Sequence, residues 1–216
     1  MNPIIGGNFV ISSLKKVVLL LVIFSGVLVL GGGSDALLIG PPLIVTLLGD
    51  GPGSVMLEMV CHRNGIDFKS AVALGAEELE AMIDVSDAPV TLVMVTGSLV
   101  DGDMCIVCSA IETDLDDELN RIDKLIEFAK SRGIPIIGFH VTGGIELSDR
   151  NSNQAIEAIM PNSNAMILVS AEEHAGIREI SETEGILLIR VSDPLDIADA
   201  LNEIFNAFGS SKVNTF

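Results

Sequence analysis

The chain has 216 residues, of which 49% are hydrophobic, so it can bury one core and still carry a short additional segment. Its formal net charge of −18 repels phosphate backbones and anionic lipid head groups, which excludes nucleic acid as an expected partner. Tryptophan and tyrosine do not occur, so only the 8 phenylalanines could form stacking platforms, and carbohydrate binding is disfavoured.

The N-terminal segment has the order of residues that is typical of a secretory signal. Lys15 and Lys16 precede an uncharged apolar run over residues 17–30, and small residues follow at 31–36. The run is shorter than the roughly 20 residues of a membrane-spanning helix, so a cleaved signal peptide is favoured over a retained membrane anchor. We therefore predict a signal peptide or anchor at residues 1–36 and an extracytoplasmic protein that is periplasmic, secreted or membrane-anchored.

The remainder of the chain alternates short β-branched runs with longer amphipathic stretches, a pattern that indicates crossover units and a parallel sheet. In chain order, strands are predicted at residues 43–48, 66–69, 89–96, 134–140, 165–170 and 186–191. Helices are predicted at residues 55–64, 76–83, 114–131, 151–160, 174–183 and 194–208.

Capping residues support these helices. Ser54 is predicted to start the first helix and Gly65 to end it, Gly133 to end the third, and Asp193-Pro194 to start the last. The expected fold class is α/β: a three-layer, Rossmann-like or flavodoxin-like sandwich with a mainly parallel sheet, preceded by an N-terminal signal or anchor helix. The domain is predicted to span residues 37–208, with a flexible tail at 209–216.

Ligands of open parallel sheets bind beyond the carboxyl ends of the strands, and three loops are predicted to lie there. The first is Gly49-Asp-Gly-Pro-Gly-Ser54, where free N–H groups at a helix start could hold an anion. It matches neither the dinucleotide fingerprint nor the P-loop, and a plain tight turn is the alternative. The candidate ligand-binding residues in this loop are Gly49, Asp50, Gly51 and Ser54.

The second loop covers residues 96–113 and contributes Gly97 and Ser98 as candidate ligand-binding residues. It contains Cys105-x-x-Cys108, which could form a local disulfide in an oxidising compartment or remain as two free thiols. No further Cys or His pair is spaced to complete a zinc site, and the carboxylates of the loop lack EF-hand spacing. The sequence therefore predicts no metal and no cofactor.

The third loop follows a buried strand and places His140, Gly143 and Gly144 at the same edge. His140 is the candidate catalytic residue: as a general base it would need an orienting partner such as Glu146 or Asp149. The alternative is a histidine that is hydrogen-bonded structurally to loop backbone. The other histidines, His62 and His174, are interpreted as structural.

Several short motifs occur between residues 95 and 205. They are Val95-Thr-Gly-Ser98, Asp117-Glu-Leu-x-Arg121, Ile137-Gly-Phe-His140 with Gly143-Gly144, Leu147-Ser-Asp149 and the closing residues 201–205. On these motifs, residues 90–205 resemble a family of exported bacterial proteins known only as a domain of unknown function. The resemblance implies export and a Rossmann-like fold, but no activity. The chain departs from it where Ile145-Glu146 replaces a basic pair and where the Cys-x-x-Cys loop replaces a Gly/Lys-rich loop.

The leading functional hypothesis is an extracytoplasmic domain that binds a small ligand or a partner at the carboxyl edge of the sheet. One alternative is a hydrolase or transferase that uses His140, and another is a redox or structural envelope protein that uses Cys105 and Cys108. The expected partner is a small molecule or an envelope protein, with no nucleic acid, and with the membrane contacted only through the N-terminal segment.

Overall fold

The structure is a computed structural model that describes residues 37–49, 51–97, 115–142 and 150–209. All of these residues fall within one compact unit, Ala36–Phe216. The predicted leader at residues 1–36 and the tail beyond Gly209 lie outside the described residues. None of the helices in the described ranges has the length and apolar content that a membrane crossing requires.

A six-stranded sheet forms the centre of the described domain, and every neighbouring pair of strands in it is parallel. Its strand order is β2-β1-β3-β4-β5-β6, so the direction in which strands are added reverses between β1 and β3. The strands are β1 (Leu43–Leu48), β2 (Phe68–Ser70), β3 (Thr91–Thr96), β4 (Ile136–Val141), β5 (Ala165–Val169) and β6 (Leu187–Val191).

Helices connect these strands and follow the last one. They are α1 (Gly53–Asn64), α2 (Ala76–Asp84), α3 (Leu115–Ser131), α4 (Arg150–Ile159), α5 (Ala175–Glu184) and α6 (Ile197–Ala207), with 3-10 turns at Met160–Asn162 and Pro194–Asp196. Each strand and helix predicted from the sequence has a counterpart here. The α/β class with a parallel sheet is therefore confirmed.

The central strands are buried on both faces, which explains why they are continuous apolar runs. Because side chains alternate along a strand, Leu43, Val45 and Leu47 pack with α1 and α6 on one face. Ile44 and Leu48 pack with α2, α3 and α4 on the other. These are called the α1 face and the α3 face below, and α5 also packs on the α3 face, through Ile177 against β5.

Glycines end the helices as the sequence indicates. Gly65, Gly133 and Gly185 follow α1, α3 and α5 with φ of 65°, 67° and 67°, a left-handed conformation that glycine adopts without steric cost. Each precedes a strand, so these glycines mark the amino edge of the sheet. At the other end of the chain, the Asp193 side chain accepts a hydrogen bond from Leu195 N, which confirms the predicted start of the last helical segment.

Candidate functional site

The glycine turns after β1 and β3 meet at the carboxyl edge. Gly49 takes a φ of 76° directly after β1, and a Cβ placed on Gly51 would lie 3.6 Å from the Gly97 Cα. Gly97 N donates to Leu48 O at 2.8 Å, which continues the β1–β3 pairing up to the turn. The first and second predicted loops therefore come together where the strand order reverses, the position at which open α/β sheets bind ligands.

Helix α1 begins against the sheet, and Gly53 makes this approach possible. A Cβ on Gly53 would lie 2.8 Å from Val95 Cγ1 and 3.4 Å from Val141 Cγ2. The prediction that Ser54 caps this helix is wrong: Pro52 occupies the N-cap position without a side-chain cap, and Ser54 is buried in the first turn. The reason is that the glycine contact fixes the helix start two residues earlier than the capping signal indicates.

A largely buried ion pair on α3 holds the turn after β1. Arg121 donates to both carboxylate oxygens of Glu118, at 2.8 Å from Nε and 2.5 Å from Nη2. The same guanidinium donates to Leu47 O at 2.8 Å and to Leu74 O at 2.6 Å, and Glu118 Oε1 accepts from Gly49 N at 3.5 Å. The motif Asp117-Glu-Leu-x-Arg121 therefore ties α3 to the carboxyl end of β1.

Four polar side chains follow one another across the α3 face at the carboxyl ends of β3, β4 and β5. The β3–β4 register brings Thr96 beside His140, and the β4–β5 register pairs His140 with Leu168, two residues before Ser170. Thr142 N donates to Val169 O at 2.9 Å, so Thr142 continues the ladder, and alternation places it on the same face as His140. We call Thr96, His140, Thr142 and Ser170 the polar shelf.

The orienting partner of His140 is a threonine. Thr96 Oγ1 lies 2.6 Å from His140 Nδ1 and also donates to Phe139 O at 3.4 Å. Burial, and next the neighbouring His174, lower the pKa of His140 from 6.5 to about 4. The imidazole is therefore neutral at physiological pH. None of the described residues provides the hydrogen bond from loop backbone that was the alternative for His140. Glu146 and Asp149 lie outside the described residues.

His174 has two roles in the structure. It occupies the N-cap position of α5, where its Nδ1 accepts from Ile177 N at 3.2 Å, which agrees with its structural interpretation. Its ring also meets that of His140 in an edge-on contact, with centroids 5.5 Å apart and an interplanar angle of 75°. His174 therefore lies beside the polar shelf, which the sequence did not indicate.

Thr142 carries a polar atom without a partner. Its Oγ1 is buried, and no hydrogen bond reaches it in the part of the chain that the structure describes. By contrast, the buried Ser170 hydroxyl accepts from Glu172 N at 3.2 Å. A buried hydroxyl that lacks a partner costs about 1–3 kcal/mol, so such atoms mark places where water or a ligand is held.

The structure brings some of the predicted site residues together and separates others. Gly49, Gly51 and Gly97 meet at the edge, whereas Ser54 lies with α1 on the α1 face and His140 points to the α3 face. Asp50, Ser98, Gly143, Gly144 and the cysteines 105 and 108 lie outside the described residues. The sequence did not indicate Thr96 or Thr142 as site residues, and it indicated only a structural role for His174.

The described residues contain no group of three or more His, Cys, Asp or Glu side chains that could hold a metal ion. That no metal and no cofactor binds remains a prediction. Cys61 is fully buried in the core, and burial together with the negative charge of Glu58 raises the pKa of its thiol to about 12. It is therefore a packing residue, and a thiol of this kind is unreactive.

Fold and site together define an α/β domain with a parallel sheet and a polar cluster at the carboxyl edge. The chain matches the domain of unknown function DUF6305 over residues 40–205 and belongs to that family, which confirms the resemblance seen in the sequence. No curated protein matches it. Among solved structures, a mutant of Axe2, an acetyl-xylooligosaccharide esterase from Geobacillus Stearmophilus, is 12% identical and aligns over 79% of this chain and 82% of its own, with a TM-score of 0.31. A TM-score of that size supports no argument about activity.

Proposed function

We propose that this protein is an extracytoplasmic domain that binds a small ligand at the carboxyl edge of its sheet, over the polar shelf. The observation that carries the proposal is the buried Thr142 hydroxyl, which has no hydrogen-bond partner among the described residues and lies two residues beyond His140 on the same face. A ligand that donates to or accepts from this hydroxyl would remove its desolvation cost, and part of the ligand's affinity would come from that gain.

The fold supports this location for the site. Its strand order extends the order 2-1-3-4-5 of flavodoxin-like sheets by one strand, and helices cover both faces. We infer a doubly wound, three-layer sandwich of that type, in which the crevice at the strand-order reversal is the usual ligand position. The Gly51–Gly97 contact and the Glu118–Arg121 pair shape and hold the turn at this crevice.

The extracytoplasmic location is supported by the N-terminal residues. Lys15 and Lys16, the apolar run at 17–30 and the small residues at 31–36 have the order that export machinery recognises. Alkaline phosphatase fused after residue 40 tests this: we expect activity from the fusion, and an inactive fusion protein that accumulates in the cytoplasm would contradict the location.

An enzyme is the second candidate, because Thr96 and His140 have the contact of a nucleophile and its base at 2.6 Å. A base whose conjugate acid has a pKa of about 4 has little affinity for a proton at neutral pH, so ligand binding is favoured over general-base catalysis. Hydrolysis of p-nitrophenyl acetate by the wild type that His140→Ala abolishes, with the fold intact, would reverse this preference.

A thermal-shift screen of metabolites on the full-length chain tests ligand binding, because any compound that prefers the folded state raises its melting temperature. Thr142→Val removes the unpartnered hydroxyl, and Thr46→Val is the matched control, since the Thr46 hydroxyl donates to Val72 O at 3.3 Å. We expect a stabilising compound whose effect is lost in Thr142→Val and kept in Thr46→Val. A screen without stabilising compounds, or stabilisation that Thr142→Val leaves unchanged, would contradict the proposal.

A further inference from the structure

The hydrogen bonds around His140 fix which ring nitrogen carries its proton. Thr96 has a single hydroxyl hydrogen but makes two contacts, with His140 Nδ1 at 2.6 Å and with Phe139 O at 3.4 Å. Both contacts are hydrogen bonds only if Nδ1–H donates to Thr96 Oγ1 while the Thr96 hydroxyl donates to Phe139 O. The neutral ring then carries a lone pair on Nε2, which is a hydrogen-bond acceptor.

His174 has the opposite tautomer. Its Nδ1 accepts from Ile177 N at 3.2 Å, so this nitrogen carries the lone pair in the neutral ring. The ring hydrogen is therefore on Nε2, which is a donor. Because the two rings contact each other edge-on, a ring with an acceptor Nε2 and a ring with a donor Nε2 are neighbours at the polar shelf.

Among the described residues, no carboxylate or guanidinium contributes to the shifted pKa of His140. Burial is the main cause of that lowered pKa, and the neighbouring His174 is the second cause. A cationic ligand would gain no carboxylate partner from the part of the chain that the structure describes. An anionic ligand would meet no positive charge on His140 while facing a chain of net charge −18. A metal ion would need a lone pair on both Nε2 atoms, and the N-cap bond of His174 places the hydrogen there.

We propose that the site recognises an uncharged group that both donates and accepts a hydrogen bond, such as a primary carboxamide or a hydroxyl, and that His174 is its second recognition residue. The ligand group donates to His140 Nε2 and accepts from His174 Nε2–H. This inference rests on the proposed ligand site and specifies the chemistry that the site selects.

Nuclear magnetic resonance of the full-length chain tests the inference with four probes of similar size: benzamide, benzyl alcohol, benzoate and benzylamine. Long-range ¹H–¹⁵N spectra should first show His140 with its proton on Nδ1 and His174 with its proton on Nε2. In titrations, benzamide and benzyl alcohol should shift the Hε1 signals of both histidines to saturation, and the two charged probes should not. The exposed His62 on α1 is the internal control.

Two variants separate recognition from capping. Asparagine is as good an N-cap as any residue, so His174→Asn keeps the start of α5 and removes only the imidazole. We expect His174→Asn to weaken benzamide binding at least about five-fold, which corresponds to roughly 1 kcal/mol, the usual net value of one hydrogen bond. His62→Ala should leave benzamide binding unchanged.

The outcomes distinguish a failure of this ligand class from a failure of the proposed binding site. If benzoate or benzylamine shifts His140 and the neutral probes do not, the ligand class is wrong while the binding site stands. If His174→Asn binds benzamide as tightly as the wild type, His174 acts only as a cap. If none of the four probes shifts a residue of the polar shelf, both the ligand class and the proposed binding site are contradicted.

Discussion

Helix α1 is positioned by the close contact of Gly53 with the sheet. The variant Gly53→Ala measures how much of the free energy of unfolding depends on that contact. The added Cβ would lie 2.8 Å from Val95 Cγ1 and 3.7 Å from Phe139 Cε1. Ordinary carbon contacts begin at about 3.5 Å, so α1 or Val95 must move by about 0.7 Å. Val95 is fully buried and β-branched, so its side chain has few alternative rotamers, and we expect the helix to move instead.

Overpacking of this kind costs about 1–3 kcal/mol, and the better helix propensity of alanine offsets about 0.5–1 kcal/mol of it. We therefore expect Gly53→Ala to lower the free energy of unfolding by about 1–2 kcal/mol. Gly176→Ala is the matched control, because Gly176 is also in the first turn of a helix and its added Cβ would make only an ordinary contact, 3.5 Å from His174 Cε1. That variant should be as stable as the wild type or slightly more stable.

Urea unfolding followed by far-ultraviolet circular dichroism is the appropriate assay, because a chain without tryptophan or tyrosine has no useful intrinsic fluorescence. The reasoning predicts a clear loss of stability in Gly53→Ala relative to Gly176→Ala. Equal stability of the two variants would show that α1 does not rest on the sheet as described.

Three further predictions follow from the ion pair and from the shifted pKa values. Arg121→Met should lower the free energy of unfolding by about 3 kcal/mol, because it leaves the buried carboxylate of Glu118 uncompensated. Arg132→Met breaks an exposed ion pair and should cost less than about 1 kcal/mol. Equal losses of stability in urea unfolding of the two variants would refute this. The pKa of His140 is lowered in the folded chain, so the unfolded chain takes up the proton first as the pH falls. Stability is therefore full above pH 6.5 and falls by on the order of 3 kcal/mol towards pH 4. His140→Asn should lack this component, and parallel profiles of stability against pH for the variant and the wild type would contradict it. Cys61, with its pKa raised to about 12, should resist alkylation by iodoacetamide at pH 8 until the chain unfolds. Peptide mass spectrometry would measure the alkylation, and rapid labelling of Cys61 in the folded protein would exclude its buried position.

Local patterns predicted the secondary structure well because their causes are local. The run at residues 43–48 is bounded by a proline pair and a glycine, and β1 has those limits. Gly65 and Gly133 end helices because only a residue without a side chain takes their positive φ at no cost. Ser54 was wrongly predicted as a cap because a tertiary contact, Gly53 against Val95, decides where α1 begins.

The candidate site could be predicted only in outline, since its chemistry depends on strand register. His140 was identified from its position after a buried strand, but its partner Thr96 is 44 residues away in sequence and reaches it through the β3–β4 pairing. His174 carries the signal of a helix start, and nothing local shows that the α5 cap meets the ring of His140. Thr142 stands out only because its hydroxyl is buried and no described residue provides it with a hydrogen-bond partner.

The central claim is that a small molecule binds where the strands end, and amide chemical-shift mapping of the full-length chain with benzamide tests it most directly. The account predicts saturable shifts at Gly97 and Thr142, at the carboxyl edge. Gly65, Gly133 and Gly185, at the amino edge, should stay unchanged. Shifts confined to these three glycines, or no shifts at either edge, would contradict the account.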